Sequence, residues 1–165
     1  MSQHNLNKDI PIKKLREAVL GRDWPTFSRF RYLIGDLGAV CIIESLNLEG
    51  YALGDMPTDF LCFKHCKMKN VSFNGKRFFP MSLWNCNAQN IDLRNTNGML
   101  FALNSDLRGA KFDETTQLVV NNSDVPSAFK NCKLDDEFRK FLTAQGVIFD
   151  FPSHYSIESY AFGEK

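Results

Sequence analysis

Five cysteines and three histidines are the residues here whose chemistry could reach beyond packing. His65 precedes Cys66, the two residue types that a thiolate nucleophile and its base require. Cys66 and Cys86 stand 20 positions apart, a separation that would suit a disulfide or two metal ligands if the backbone stacked them. Against this, Cys41, Cys62, Cys66, Cys86 and Cys132 are odd in number and lack C-x-x-C spacing. That argues against a disulfide framework and a zinc knuckle, and for a reducing compartment such as the cytoplasm. His4 and His154 have no acidic or thiol partner at motif spacing. No glycine-rich phosphate loop, paired-histidine motif or nucleophile elbow occurs. The expectation is therefore a protein that is not an enzyme, with no cofactor and no metal.

What positions Cys66 and Cys86 is a repeat. Stepping by five from Leu48 gives Leu53, Thr58, Phe63, Met68, Phe73, Phe78, Leu83, Ala88, Leu93, Gly98 and Leu103, mostly large and apolar. The residues two earlier are also mostly apolar, among them Leu46, Tyr51, Met56, Leu61, Cys66, Val71, Met81, Cys86 and Ile91. Neither the helical period of about 3.6 nor the strand period of 2 makes such a comb. After Leu103 the comb slips by one and resumes at Ser105-Asp106-Leu107-Arg108-Gly109 and Ala110-Lys111-Phe112-Asp113-Glu114.

Segments such as Ile91-Asp92-Leu93-Arg94-Asn95 resemble the pentapeptide-repeat family, whose unit reads Ala-(Asp/Asn)-Leu-x-x. The resemblance implies a mainly β chain. Its expected form is a right-handed quadrilateral β-helix with four pentapeptides per turn, the central residue and the one two before it pointing inward. Inward residues then stack at 20-residue spacing. Three columns are credible ladders: Leu48, Met68, Ala88, Leu107; Leu53, Phe73, Leu93, Phe112; and Phe63, Leu83, Leu103. The column Thr58, Phe78, Gly98 fails, with Lys76 and Thr96 beside it and Pro57 and Pro80 unable to donate ladder bonds. That side is expected to be irregular and to carry an outward apolar strip of Phe60, Phe79, Met99 and Leu100. On a β coil, His65 and Cys66 point to opposite sides and cannot form a catalytic pair. Cysteine at 66 and 86 then reads as a small apolar filler.

The expected division is 1–45 as a helical cap with a lead-in strand, 46–114 as the repeat coil, and 115–165 as an irregular last coil, a capping helix and a tail. One helix buries Ile12, Leu15, Val19 and Leu20 and stops at Gly21; a second runs from Pro25 to Ile34. Ala39 to Ile43 reads as a strand. Ser127-Ala128-Phe129 and Cys132-Lys133-Leu134 read as further repeat units, and Asp135 or Asp136 caps a helix that Gly146 ends.

The chain has 165 residues and a net charge of +1, so there is no strong overall field for nucleic acid or membrane. The front is locally basic, with Lys13, Lys14 and Arg16 in one helix. The first 11 residues lack the apolar core of a signal peptide. The reading is a non-enzymatic interaction module whose partner is a protein or a second copy of the chain. The candidate contacts are Phe60, Phe79, Met99, Leu100, Lys13, Lys14 and Arg16. The resemblance adds the setting of a bacterial effector delivered into a host cell without a cleaved signal. It also raises a DNA mimic that inhibits a type II topoisomerase. Lys64, Lys67, Lys69, Lys76, Arg77, Arg94, Arg108 and Lys111 disfavour the mimic, which needs a strongly acidic surface. A scaffold binding anionic membrane or nucleic acid through the basic front is the third reading.

Overall fold

In a computed structural model, the chain is described over residues 6–34, 41–57, 59–118 and 127–149, without the side chains of 6–11, 32–34, 59–60 and 79. Thr58, Ala39, Val40, His4, His154 and the expected tail lie outside the described residues.

The described chain is a parallel β-solenoid with helices at its ends. Strands β1 (Cys41–Glu44), β2 (Asp59–Lys64), β3 (Arg77–Trp84), β4 (Asn97–Leu103) and β5 (Ala128–Lys130) form one parallel sheet in sequence order. Cys41 faces Leu61, and Leu61 faces Met81, a step of 20 each time. Single parallel bridges repeat the same step elsewhere: Asn47, Lys67, Asn87, Asp106 and Lys133 form one line, and Ala52, Ser72, Asp92 and Lys111 another. Between these lines the chain turns through residues at positive φ. One turn column is Ser45, His65, Asn85, Asn104 and Asn131; a second is Gly50, Asn70, Asn90 and Gly109; a third includes Gly75 and Asn95. Left-handed backbone favours glycine and asparagine, which explains why those types punctuate the repeat.

The inward columns are largely those the comb predicts. Leu48, Met68, Ala88 and Leu107 are fully buried, as are Leu53, Phe73 and Leu93. Phe112, at the foot of that second column, is half-buried and meets the last helix instead. The slip, however, lies earlier than Leu103. Phe78 pairs with Gly98 and Met81 with Leu100, so Phe79-Pro80 opposes Met99 alone. This is a β-bulge, and Pro80, which has no N–H to give a ladder, suits it. The bulge advances β4 by one residue. Leu100 therefore points inward and is 0% exposed, and Ala102 replaces Leu103 in the column of Ile43, Phe63, Leu83 and Phe129. Leu103 pairs with Trp84 on the outward line.

The side expected to fail is built differently. Phe78 is buried in the core, its ring edge-on to Phe73 at 5.7 Å. Gly98 fits beneath it because a Cβ there would stand 2.1 Å from the Phe78 carbonyl oxygen. Thr96 and Thr116 are buried polar residues, and both hydroxyls donate to the Leu93 carbonyl, at 2.5 and 3.0 Å. Lys76 turns its ammonium back onto the Met56 carbonyl. Each polar group on this side thus finds a backbone acceptor, which removes the penalty for burying it.

Helix α1 (Leu6–Gly21) buries Leu15, Ala18 and Val19. Ile12 and Leu20, expected on that stripe, are 44% and 42% exposed. The inward stripe is narrower than the apolar spacing suggests because Ala18 fills its middle. Helix α2 (Trp24–Ile34) starts where the Asp23 carboxylate accepts from the Thr26 N–H at 3.1 Å. At the other end, helix α3 (Asp136–Ala144) lays Phe138 and Phe141 against Phe112, with ring centroids 5.1 and 4.5 Å apart. The Gln145 side chain then closes an edge of the coil: its amide donates to the Thr116 carbonyl (2.6 Å) and accepts from the Leu118 N–H (2.8 Å). Asp135, one of the two expected caps, does stand at the N-cap of α3, but its carboxylate accepts from the Gly109 N–H of the coil instead of from the helix. Beyond α3, Ile148 bridges Ala128 and continues the sheet.

Candidate functional site

Cys66 and Cys86 do stack, and their surroundings give them a structural task. After four of the five turns in the Ser45/His65/Asn85/Asn104/Asn131 column comes an inward side chain with a small polar head; Leu46, after Ser45, is the exception. Cys66 Sγ donates to the carbonyls of Lys64 (3.4 Å) and Ile43 (3.5 Å). Cys86 Sγ donates to Trp84 (3.4 Å) and Phe63 (3.3 Å). Ser105 Oγ repeats the pattern on Leu103 (3.0 Å) and Leu83 (3.2 Å), and Cys132 Sγ reaches Lys130 at 3.4 Å. These heads tie each turn to the strand end above it. The sequence reading of cysteine as plain apolar filler missed this; the signal was Ser105 in the same column. All five cysteines are free thiols.

Four of the five thiols are held in the protonated form; Cys66 is the exception, lowered to about 7 chiefly by its hydrogen bond with Cys86. Burial pushes Cys62 up to about 12 and Cys41 and Cys132 to about 11. Cys86 lies far above the ordinary thiol value, through its hydrogen bond with Cys66 and then burial. His65 is an exposed turn residue at φ 54°, on the opposite side of the backbone from the buried Cys66. No group of three or more metal-ligating side chains occurs among the described residues.

Two aspartates on the lateral surface are also committed internally. Asp106 accepts from Arg108 through Nε (2.9 Å) and Nη2 (2.6 Å), and Gln89 adds a bond at 2.9 Å. Asp92 accepts from Arg94 in the same two-pronged way, at 2.9 and 2.7 Å. The guanidinium is the main cause that holds each carboxyl below its usual range, Asp106 at about 2. A groove of about 310 Å³ lies beside Asp106, lined by Asn85, Asn87, Asn104, Asn131 and Lys133.

The candidate contact residues separate. Lys13 and Lys14 are exposed but share Glu17, at 3.9 and 3.4 Å. Arg16 donates to the Glu44 and Ser45 carbonyls, so it anchors α1 to the first turn rather than facing a ligand. Met99 is half-buried within β4. Leu100 belongs to the core, so the strip of Phe60, Phe79, Met99 and Leu100 is not a continuous outward surface. The Phe60 and Phe79 side chains lie outside the described residues.

What does face solvent is the line at 47–49 and its repeats: Asn47, Glu49, Lys67, Lys69, Asn87 and Lys133 are all exposed. On the sheet the outward residues differ. Cys62, Ser82, Phe101 and Ala128 alternate with inward residues yet are buried. The comb expected Phe101 to point inward, two residues before Leu103, and the bulge turns it outward; the continuous apolar runs Leu61-Cys62-Phe63 and Leu100-Phe101-Ala102-Leu103 are the mark of a strand buried on both faces.

No helix among the described residues is long and apolar enough to cross a membrane. No family model matches the sequence, and no curated protein matches it. Among solved structures, the chain is similar to a pentapeptide repeat protein from the Arabidopsis thaliana thylakoid lumen. The identity is 14%, the match covers 70% of this chain and 87% of that one, and the TM-score is 0.20.

Proposed function

We propose that the chain is a non-enzymatic protein-interaction module on a right-handed, four-sided pentapeptide-repeat coil, and that an acidic protein surface docks on the line carrying Lys67, Lys69 and Lys133. Right-handedness follows from the strong preference of parallel crossovers for that hand. Three columns of left-handed turns in each 20-residue step support the reading of a four-sided coil.

One observation carries the interaction reading. The Cys66 and Cys86 thiols, Asp92 and Asp106 are bonded within the coil, while Lys67, Lys69 and Lys133 stand exposed on a bridged line; of its exposed acids among the described residues, Glu49 and Asp135, the second is tied to the Gly109 N–H. Rigid presentation lowers the ordering cost of binding. The resemblance to pentapeptide repeats supplies the setting of a bacterial effector acting on a host protein, which a translocation reporter fused to the chain would test.

The experiment is a lysate pull-down comparing wild type with Lys67→Glu plus Lys69→Glu, with thermal melts of both. Loss of a salt-sensitive partner at unchanged melting supports the reading. The same proteins recovered by both baits would sink it.

A further inference from the structure

One column of asparagines differs from the others on the coil. Elsewhere stacked amides bond to one another: Asn90 donates to Asn70 at 3.1 Å, Asn95 to Asn74 at 3.1 Å and Asn97 to Gln117 at 3.0 Å. Asn85, Asn104 and Asn131 also follow one another in the stack, at φ 52°, 50° and 53°. Their side-chain amides make no hydrogen bond among the described residues. The backbone beneath them is fixed, because the Asn85 N–H donates to the Leu103 carbonyl at 2.9 Å and the Asn104 N–H to the Lys130 carbonyl at 3.0 Å. The turns are therefore rigid while their amides stay open.

These amides line the groove of about 310 Å³. Its other wall is the bridged line of Asn87, Asp106 and Lys133. Backbone bonds hold that wall too: Ala88 N–H donates to the Asp106 carbonyl at 2.8 Å and Leu107 N–H to the Lys133 carbonyl at 2.9 Å. The groove is open to solvent, with Asn87, Asn104, Asn131 and Lys133 exposed.

The lining selects a kind of ligand. A primary amide offers two donors and one acceptor, and a hydroxyl is donor and acceptor at once. Four asparagines in one groove thus complement a polyhydroxylated molecule. Charge narrows the choice. The Arg108 fork neutralises Asp106, and Lys133 has no ion-pair partner among the described residues. One uncompensated cation matches one carboxylate. A nucleic acid, by contrast, is held by several cations on successive phosphates. Size narrows it further. Ligand pockets begin at roughly 300 Å³, and three rungs about 4.8 Å apart span roughly 10 Å, which is room for one or two sugar rings.

We propose that this groove binds an acidic sugar, a uronic-acid unit of a glycan, with Lys133 on its carboxylate and Asn85, Asn87, Asn104 and Asn131 on its hydroxyls. Rigid walls keep the ordering cost of binding low. The ligand goes beyond the protein partner proposed above and requires neither Lys67 nor Lys69.

The test is a titration of isotope-labelled full-length protein, followed by nuclear magnetic resonance. One arm uses digalacturonic acid and the other its methyl ester, which keeps the hydroxyls and loses the charge. The acid should move the side-chain amide signals of Asn85, Asn104 and Asn131 and bind about 10-fold more tightly than the ester, the value of one charge-assisted bond. Lys133→Ala should abolish that difference and leave ester binding unchanged. Asn104→Gly, which suits the left-handed turn, should weaken acid and ester alike by about 5-fold. Stationary amide signals at large excess of the acid, or shifts confined to residues outside the groove, overturn the site. Equal binding of acid and ester by the wild type overturns the acidic ligand. Both of these outcomes are read on the wild type, so they decide the matter even where a variant melts lower.

Discussion

The sheet and the line at 47–49 are made by the same repeat, yet they treat their outer residues in opposite ways. Around Leu46-Asn47-Leu48-Glu49, Leu46 and Leu48 are buried while Asn47 and Glu49 are exposed. Around Leu61-Cys62-Phe63, all three are buried. The first is the ordinary half-buried pattern of a solvated β face, and the second is that of a strand packed on both sides. The backbone step is shared, so the difference lies in the side chains. A coil of this kind can keep one wall in solvent and bury the residues on both faces of another.

The largest effect follows from the bulge that sets the sheet wall's register. Leu100→Ala should destabilise the protein by about 2–5 kcal/mol, the usual cost of truncating a fully buried leucine. Leu103→Ala, on the outward line, should cost less than about 1.5 kcal/mol. Urea melts of the two variants decide between registers. If Leu103 proves the costlier, the slip follows that residue and the contrast between walls is misdrawn. Gly98→Ala probes the same wall from the backbone. Its Cβ would collide with the Phe78 carbonyl, and the glycine sits at φ 130°, where side chains rarely go. A loss of about 1–3 kcal/mol is expected, and the same melts measure it.

These two sites also show how far the sequence could be read. The five-residue comb located the Leu48 and Leu53 columns because every rung there is apolar and all but Leu53 are followed by a polar residue. It misplaced the slip because Met99, Leu100, Phe101, Ala102 and Leu103 are all apolar, so the sequence alone offers no phase within that run. Pro80 was the usable signal. A bulge or loop was expected on that side; placed between Phe79-Pro80 and Met99, it would have moved Leu100 inward. Thr96, Thr116 and Lys76 looked unfit for a core because composition does not reveal that the carbonyls of Leu93 and Met56 await them. On the surface, charge counts overstated the basic front. Only geometry shows that Arg16 is engaged with Glu44 and Ser45 and that Lys13 and Lys14 share Glu17.

Between the two walls stands the corner held by the Cys66/Cys86/Ser105 column. If the thiols act as donors to turn carbonyls, Cys86→Ser should be tolerated, because Ser105 already does the same task one rung below. Cys86→Ala should cost about 1 kcal/mol more than Cys86→Ser, the value of a lost hydrogen bond and an unmet acceptor. Equal melting of the two variants would return cysteine to the role of filler, and the corner would then hold by packing alone.

The smallest effect belongs to the solvated wall and is read through pH. Asp106 carries a folded-state pKa of about 2, held down chiefly by the Arg108 guanidinium, against about 3.9 in an unfolded chain. A lowered value means that the folded state binds its proton less readily. The contribution is therefore complete above pH ~4 and fades as pH falls towards 2. Asp106→Asn keeps an oxygen for the Arg108 N–H and removes only the charge. Wild type should melt above the variant at pH 5 by no more than about 3 °C, since exposed ion pairs contribute little. The two curves should then meet near pH 2. A gap that persists there would assign the loss to shape rather than charge. A large gap at pH 5 would place this pair out of solvent, and the wall at Asp106 would then resemble the covered sheet instead of contrasting with it.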